Sequence, residues 1–540
     1  MQSNGTTSVA SGGESERARS LRKPPYPRFV GRALWAAAFF RVRQWDRGLE
    51  QLREVQEREL QRILRPAAGT EFGRRHGFAS IRSYDDFRRN VPTGDYDAFS
   101  PYIERMRQGE RGLLVPELIR YFGNSSGSST QGRSKFLPIS ERQIRAQRGS
   151  ASDALYRYLV WRGEDDFTAG FTLGLLPPFS MRPEGPVFIT TNPSLQYQRA
   201  PAFVRPLQLP EKAIGRMTDY DDKLVRIAER YLDHDVRAVT GTTCWFSILF
   251  DKLIAAARAR GRRVSTVREI WPNLRVLLGG GVAADPYLPV IRERVGRDDV
   301  TLVDTYNATE GGIFAASDFE GGPGLRMIPD RGVFFEFVPV EDVDADAPRR
   351  VPLWEVERDR LYAIHVTTPS GLYAYRLGDL VRFPSTDPLR IEFAGRLSGC
   401  LSTTQELTTH VEVQRGMDHA LTRFPGLTTV DYGAAADVGV DGTAKARYVL
   451  FVEFAGEGPS DPTSFAQAFD EGLQSANRVY REHRTDETAI LPPELVVMPP
   501  GTVARFMAAV GGGNVQTKFP RILDDDKKER LRAEVVRRGS

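Results

Sequence analysis

The sequence predicts an α/β fold, with a large mixed α/β amino-terminal domain that includes a barrel-like subregion and a smaller α/β carboxyl-terminal domain. Three observations carry this reading. At 540 residues the chain exceeds the size at which one hydrophobic core stops growing, so two or more domains are expected. Short apolar runs alternate with helical segments through much of the first 300 or so positions, as βα units require. From Gly332 the strand-like runs follow one another closely with turn residues between them, as an antiparallel or barrel-like subregion requires.

In chain order, residues 1–25 are polar, rich in Gly, Ser and Thr, and without an apolar period. They read as a disordered leader, and they lack the apolar core of a signal peptide. From Ala33 to Leu64 apolar residues such as Leu49, Leu52, Val55 and Leu60 recur every three or four positions, predicting an amphipathic helix. Ala169–Leu176 and Val236–Thr240 read as buried strands, and Asp221–Leu232 and Ser247–Ala257 as helices. Leu274–Leu278 runs into Gly279-Gly280-Gly281, and Val300–Asp304 runs into Tyr306-Asn307, both as strands ending in loops. Val333–Val340, Leu361–Thr367 and Arg390–Phe393 are the strands of the later region. Arg447–Phe454 and a helix over Phe465–Tyr480 complete the chain. The amino-terminal domain is expected over residues 26–395 and the carboxyl-terminal one over 396–540, with the boundary near Gly395 and Arg396. No internal repeat is evident.

Composition narrows the function. Apolar residues at 41% and charged residues at 27% are ordinary globular usage, so most of the chain is expected to fold. Seventy-four Lys and Arg against 70 Asp and Glu leave +4, spread along the chain, and imply no nucleic-acid partner. Cys244 and Cys400 alone cannot build a disulfide framework or a thiolate zinc site, which fits a reducing compartment. The most apolar stretches, Ala33–Phe40 and Ala238–Phe250, are too short or too interrupted to cross a bilayer. A soluble, cytoplasmic protein without a membrane partner is expected.

Four segments offer chemistry. Between two strand-like flanks, Ser125, Ser126, Ser128, Ser129 and Thr130 are interleaved with Gly127 and Gly132. Glycines let backbone N–H groups approach an anion, and hydroxyls add donors without bulk. The spacing nearly matches a phosphate loop, but Arg133 stands where that motif has Lys, and a strand at Lys135–Ile139 follows where it opens a helix. A surface hairpin explains the loop equally well at this point. In the second segment, Asp304 to Gly312, Thr309-Glu310 suits Mg²⁺ and Tyr306 offers a ring to a purine, while a helix N-cap is the simpler reading of the segment alone. In the third, Asp379 suits ribose hydroxyls or a surface ion pair at a tight turn, and Phe393 and Arg396 follow. In the fourth, Lys518 lies between a glycine run and Pro520, as a cation that enters a site on closure or as an exposed loop lysine. Outside these, Thr243 and Trp245 suit an apolar acyl slot or the core, and His234, His365 and His410 read as structural.

Taken in this order, the four segments resemble the Gretchen Hagen family of acyl-acid amido synthetases, bacterial branch, within the adenylate-forming enzymes. The resemblance runs from about Leu49 to Leu523 and is supported by Gly69-Thr70-Glu71-Phe72-Gly73, Trp271-Pro272-Asn273-Leu274, Phe334-Phe335-Glu336-Phe337, Val366-Thr367-Thr368 and Lys518-Phe519-Pro520-Arg521. It implies a ligase that uses ATP and Mg²⁺ and has a mobile carboxyl-terminal domain. A small-molecule carboxylic acid attacks the α-phosphate and releases pyrophosphate. An amine, usually from an amino acid, then attacks the acyl-AMP, forming an amide and releasing AMP. A monomer suffices for this chemistry.

Carried over by the same resemblance, Ser125, Ser126, Ser128, Ser129 and Thr130 contact phosphate, with Gly127 and Gly132 permitting the turn. Gly280 and Gly281 belong to the nucleotide-binding set. Tyr306 lies against adenine, Thr309 and Glu310 face phosphate and metal, Asp379 binds ribose, and Phe393 lines the nucleotide pocket. Arg396 sits at the domain junction, and Lys518 approaches the α-phosphate; Lys518 and Glu310 are the catalytic pair. Ser402 to Leu407 and Val515-Gln516-Thr517 depart from the family pattern. These departures leave a thiol acceptor, or a binding protein without turnover, as alternatives.

Overall fold

The computed structural model describes residues 21–125, 135–281, 287–343, 345, 347–397, 400, 401, 403, 406, 408–443, 445–485, 489–510 and 519–539. Its centre is a five-stranded parallel sheet in the order Gln208–Leu209, Phe171–Leu175, Val236–Gly241, Val276–Leu278, Thr301–Val303. Parallel strands need helical crossovers, so both faces are covered and the central strands are largely buried. Leu277 packs with the helices Tyr220–Tyr231 and Cys244–Ala259, while its neighbour Val276 packs with Trp45 and Tyr158 of the helices Arg28–Glu50 and Glu141–Arg162.

The region from 305 to 396 forms an eight-stranded antiparallel sheet whose edges are Thr305–Ala308 and Val351–Pro352. Its Phe314, Phe334, Phe335, Phe337 and Phe383 are all fully buried in one core. A four-stranded sheet, Lys135–Ile139, Tyr121–Ser125, Val187–Thr190, Met181–Glu184, stands beside it. The Tyr121–Ser125 strand is paired on both sides, antiparallel to one neighbour and parallel to the other, so the chain on each side of the serine-rich loop is held.

The carboxyl-terminal part is a three-stranded sheet, Thr429–Val438, Ala446–Phe454, Ile490–Val497. The helices His410–Arg423 and Pro462–Ala476 cover one face, and Thr502–Val510 and Asp525–Gly539 the other. It docks on the larger part. The Tyr287 hydroxyl donates to the Thr403 carbonyl at 3.1 Å, and the Trp245 and His483 rings meet edge to face at 5.1 Å.

The structure adds detail to several of these expectations. The single helix over Ala33–Leu64 is two, Arg28–Glu50 and Leu52–Ala67, because Gln51 leaves the helical region at φ −113°, ψ 43°. The helix over Phe465–Tyr480 breaks at Asn477, whose side chain caps the next helix by accepting from Tyr480 N and also donates to the Glu406 carbonyl. Arg22, within the expected leader, exchanges backbone hydrogen bonds with Asp233 and Asp235, so the chain is anchored before residue 25. Gly395 and Arg396, placed at the boundary, lie in the Leu389–Arg396 strand and pair with Leu380 and Asp379.

Candidate active site

The site forms where strand ends from three sheets meet. Thr305–Ala308 and Gly312–Ala316 are an antiparallel hairpin, and Thr309-Glu310 is its turn, not a helix cap. Gly312, at φ +96°, gives the hairpin a backbone conformation that side chains rarely adopt. Two buried glutamines of the Glu141–Arg162 helix fix the turn by donating to carbonyls, Gln147 to Thr309 and Gln143 to Gly311, each at 3.1 Å. A Cβ on Gly123 would meet the Thr309 methyl at 3.1 Å, so the turn rests directly on the strand that carries Ser125.

On the other side of the hairpin strand, Tyr306 points to Asp379. The Tyr306 hydroxyl donates to Asp379 Oδ2 at 2.9 Å, and Arg396 Nε lies 3.1 Å from Oδ1, directly across the strand pair. Asp379 is 4% exposed, and its Oδ1, buried against Arg396, accepts no aligned hydrogen bond among the described residues. Burial raises the Asp379 carboxyl above its usual range, opposed by Arg396 and by the Tyr306 hydrogen bond. The Asp379 ion pair is therefore buried and cross-strand rather than a surface pair at a tight turn. Phe393 stands 6.1 Å from the Tyr306 ring and is 53% exposed, an apolar ring in the open beside a polar cluster.

Half-buried Glu310 has its carboxyl raised chiefly by burial, with the Asp379 charge adding to it and Lys135 and Arg396 opposing. Lys135 is the residue that sequence reasoning passed over. It begins the strand that leaves the serine-rich loop, and its ammonium sits over the Tyr96 ring. Its positive charge opposes the effect of burial on Glu310.

Gly280 packs on the same hairpin strand. A Cβ there would lie 2.4 Å from Thr305 Oγ1 and 2.7 Å from Asn307 Nδ2, and Thr305 Oγ1 donates to the Gly279 carbonyl at 2.7 Å. Gly281 follows at φ +82°. Thr243 is fully buried beside Gly279, with its hydroxyl unpartnered, whereas Trp245 is 3% exposed between Tyr220 and His483 in the core. Ser126, Gly127, Ser128, Ser129, Thr130, Gly132 and Lys518 lie outside the described residues, as does the side chain of Ser125. The ends of their segments are placed. Lys135 follows the loop, and after Lys518 come buried Phe519, packed on Phe506, and Arg521, which stacks on Tyr432 at 4.0 Å and pairs with Asp431.

This arrangement of sheets, with an acidic turn, a lysine and an exposed aromatic gathered around a buried carboxylate, is that of an adenylate-forming ligase by its likeness to solved acyl acid amido synthetases. The chain belongs to the GH3 family: it matches the GH3 family N-terminal domain over residues 41–172, the central domain over 326–396 and the C-terminal domain over 411–527, together more than half its length. Indole-3-acetic acid-amido synthetase GH3.8 of Oryza sativa subsp. indica is 26% identical, across 87% of this chain and 88% of that one. The jasmonoyl–L-amino acid synthetase JAR4 of Nicotiana attenuata is 24% identical, across 75% and 79%. The solved structure of AtGH3.15 acyl acid amido synthetase in complex with 2,4-DB has the same fold, with a TM-score of 0.54 at 19% identity over 95% of this chain and 97% of that one. The chain is accordingly an ATP-using ligase of the acyl-acid amido synthetase class. Among the described residues no helix is long and apolar enough to cross a membrane.

Proposed function

We propose that the protein joins a small carboxylic acid to the amine of an amino acid or a related compound, through an acyl-adenylate, releasing pyrophosphate and then AMP. The observation that carries this reading is the juxtaposition of the Tyr306–Asp379–Arg396 cluster and exposed Phe393 with the Thr309-Glu310 turn seated on Gly123. The Asp379 carboxylate, held by Tyr306 and Arg396, accepts from a ribose hydroxyl, and Phe393 with Tyr306 supplies an apolar face for the base.

Glu310 and Thr309, oxygen donors at the foot of the phosphate loop, fit Mg²⁺, which when bound neutralises charge on the phosphates. Lys135 balances Glu310 before the nucleotide arrives. Ser125 to Thr130 hold phosphate oxygens, and Lys518, carried by the carboxyl-terminal part, approaches the α-phosphate as negative charge builds there in the acid's attack. Phe519 and Arg521, which follow it in the chain, are held by Phe506 and Tyr432. No covalent nucleophile on the protein is required. A soluble cytoplasmic monomer suffices.

The names of the relatives make indole-3-acetic acid and jasmonic acid the first acids to try. Acid-dependent exchange of labelled pyrophosphate into ATP tests the first step, and product analysis with amino acids or thiols tests the second. Exchange with an amide product is expected. Absence of exchange across a broad acid panel overturns adenylation, and a thioester product overturns the amide.

A further inference from the structure

The first long helix, Arg28–Glu50, buries Gly31, Ala38, Val42, Trp45 and Gly48 against the protein. Its opposite face is apolar over its first three turns. Phe29 and Phe40 are 69% and 71% exposed, and Ala33, Ala36 and Ala37 between them are exposed as well. Eleven residues separate the two phenylalanines, which puts them on one face and about 16 Å apart along the axis. Ala33, Ala36 and Ala37 lie between them with Arg32 at the edge, so the apolar part of the surface is a flat strip rather than a pocket.

The charges around the strip are mostly positive. Arg28, Arg32, Arg43 and Arg47 are exposed along the same helix, Arg43 lying over the Phe39 ring at 4.7 Å. The one acid between residues 28 and 47 is Asp46, which is turned inward to pair with Arg157 at 2.8 Å. Asp165 answers Arg32 from the neighbouring segment, at 3.3 Å. A second copy laid on this face would bring arginines against arginines. Residues 1–20 hold almost no large apolar side chains to cover the two rings.

We propose that this face docks on an anionic lipid surface, with the Phe29 and Phe40 rings entering the headgroup boundary and the flanking arginines meeting the lipid phosphates and carboxylates. A flat apolar strip rimmed by arginine matches a planar, negatively charged, apolar-cored partner in both shape and charge. The contact is peripheral and reversible, since it inserts two rings and no spanning segment. It lies on the outer face of a helix whose inner face packs on the core, and it uses none of the residues of the candidate site.

The test is flotation of the full-length protein with phosphatidylcholine vesicles, with and without phosphatidylserine. Binding is expected with phosphatidylserine only, and it is expected to fall with added salt. Phe29→Asp/Phe40→Asp and, separately, Arg43→Glu/Arg47→Glu are each expected to weaken it about tenfold or more. Their thermal unfolding and pyrophosphate exchange are expected to match the parent, which shows that they are folded. No flotation of the parent overturns the proposal, and so does flotation that both variants retain. A concentration-dependent dimer that Phe29→Asp/Phe40→Asp abolishes, without lipid binding, also overturns it in favour of a second copy.

Discussion

The Tyr306 hydroxyl donates to Asp379 Oδ2 at 2.9 Å, while the other oxygen of that buried carboxylate lies 3.1 Å from Arg396 Nε. One carboxylate is thus held by a tyrosine and an arginine at once. Replacing Tyr306 with Phe leaves a buried oxygen unpaired at a cost of about 1–3 kcal/mol. The KM for ATP in the exchange assay is expected to rise more than kcat falls. An unchanged KM would remove Tyr306 and Asp379 from the nucleotide site.

Glu310 must lose its proton before it can hold a cation, and burial beside Asp379 makes that loss harder than for an ordinary carboxylate. The Mg²⁺ concentration needed for half-maximal exchange is expected to rise as pH falls, beginning above the usual carboxylate range. Glu310→Gln is expected to raise the requirement at neutral pH and to flatten its pH dependence. A parallel shift of variant and parent would assign the titration elsewhere.

Lys518→Ala is expected to slow pyrophosphate exchange by about 10²–10³, the usual loss for one donor aimed at developing charge. The melting temperature is expected to hold, because the packing of Phe519 and Arg521 is untouched. Normal exchange in this variant would exclude the role.

Gly280→Ala places a methyl 2.4 Å from Thr305 Oγ1 and 2.9 Å from the Thr305 carbonyl oxygen. Backbone cannot yield as a side-chain tip does, so a loss of roughly 1–3 kcal/mol is expected in urea unfolding. Wild-type stability would mean that the hairpin strand shifts freely.

His365, 3% exposed in the large antiparallel sheet, has its pKa lowered to about 3, first by burial and then by the charges of Arg350 and Arg376. Between about 3 and its ordinary value near 6.5 the unfolded chain binds a proton that the folded chain does not. Stability is therefore complete above that window and is lost as pH falls through it. His365→Phe is expected to reduce the slope of stability against pH there by up to about 1.4 kcal/mol per unit. An unchanged slope would place the acid sensitivity in other groups, such as His483, lowered to about 4 by burial.

Periodic stretches with one dominant environment were legible in the sequence. Lys135–Ile139 and Leu361–Thr367 are strands over the whole predicted range, because alternation or uniform burial repeats at every residue. The breaks at Gln51 and Asn477 were not, since neither residue is a strong helix breaker, and Asn477 is held by the distant Glu406 carbonyl. Lys135 was missed for a related reason: its neighbours in sequence say strand, and only Glu310, far along the chain, makes its charge matter.

The sequence by itself determined the family, the order of the four functional segments and the adenylating chemistry they imply, because residue identity and spacing carry that information locally. Tertiary structure decided which of those residues meet. It put Thr309 on Gly123, Asp379 between Tyr306 and Arg396, Trp245 in the core, and the Phe29 and Phe40 rings outward on an arginine-rimmed helix. Such contacts join positions far apart in the chain, and their energies depend on burial and distance, which no local pattern encodes.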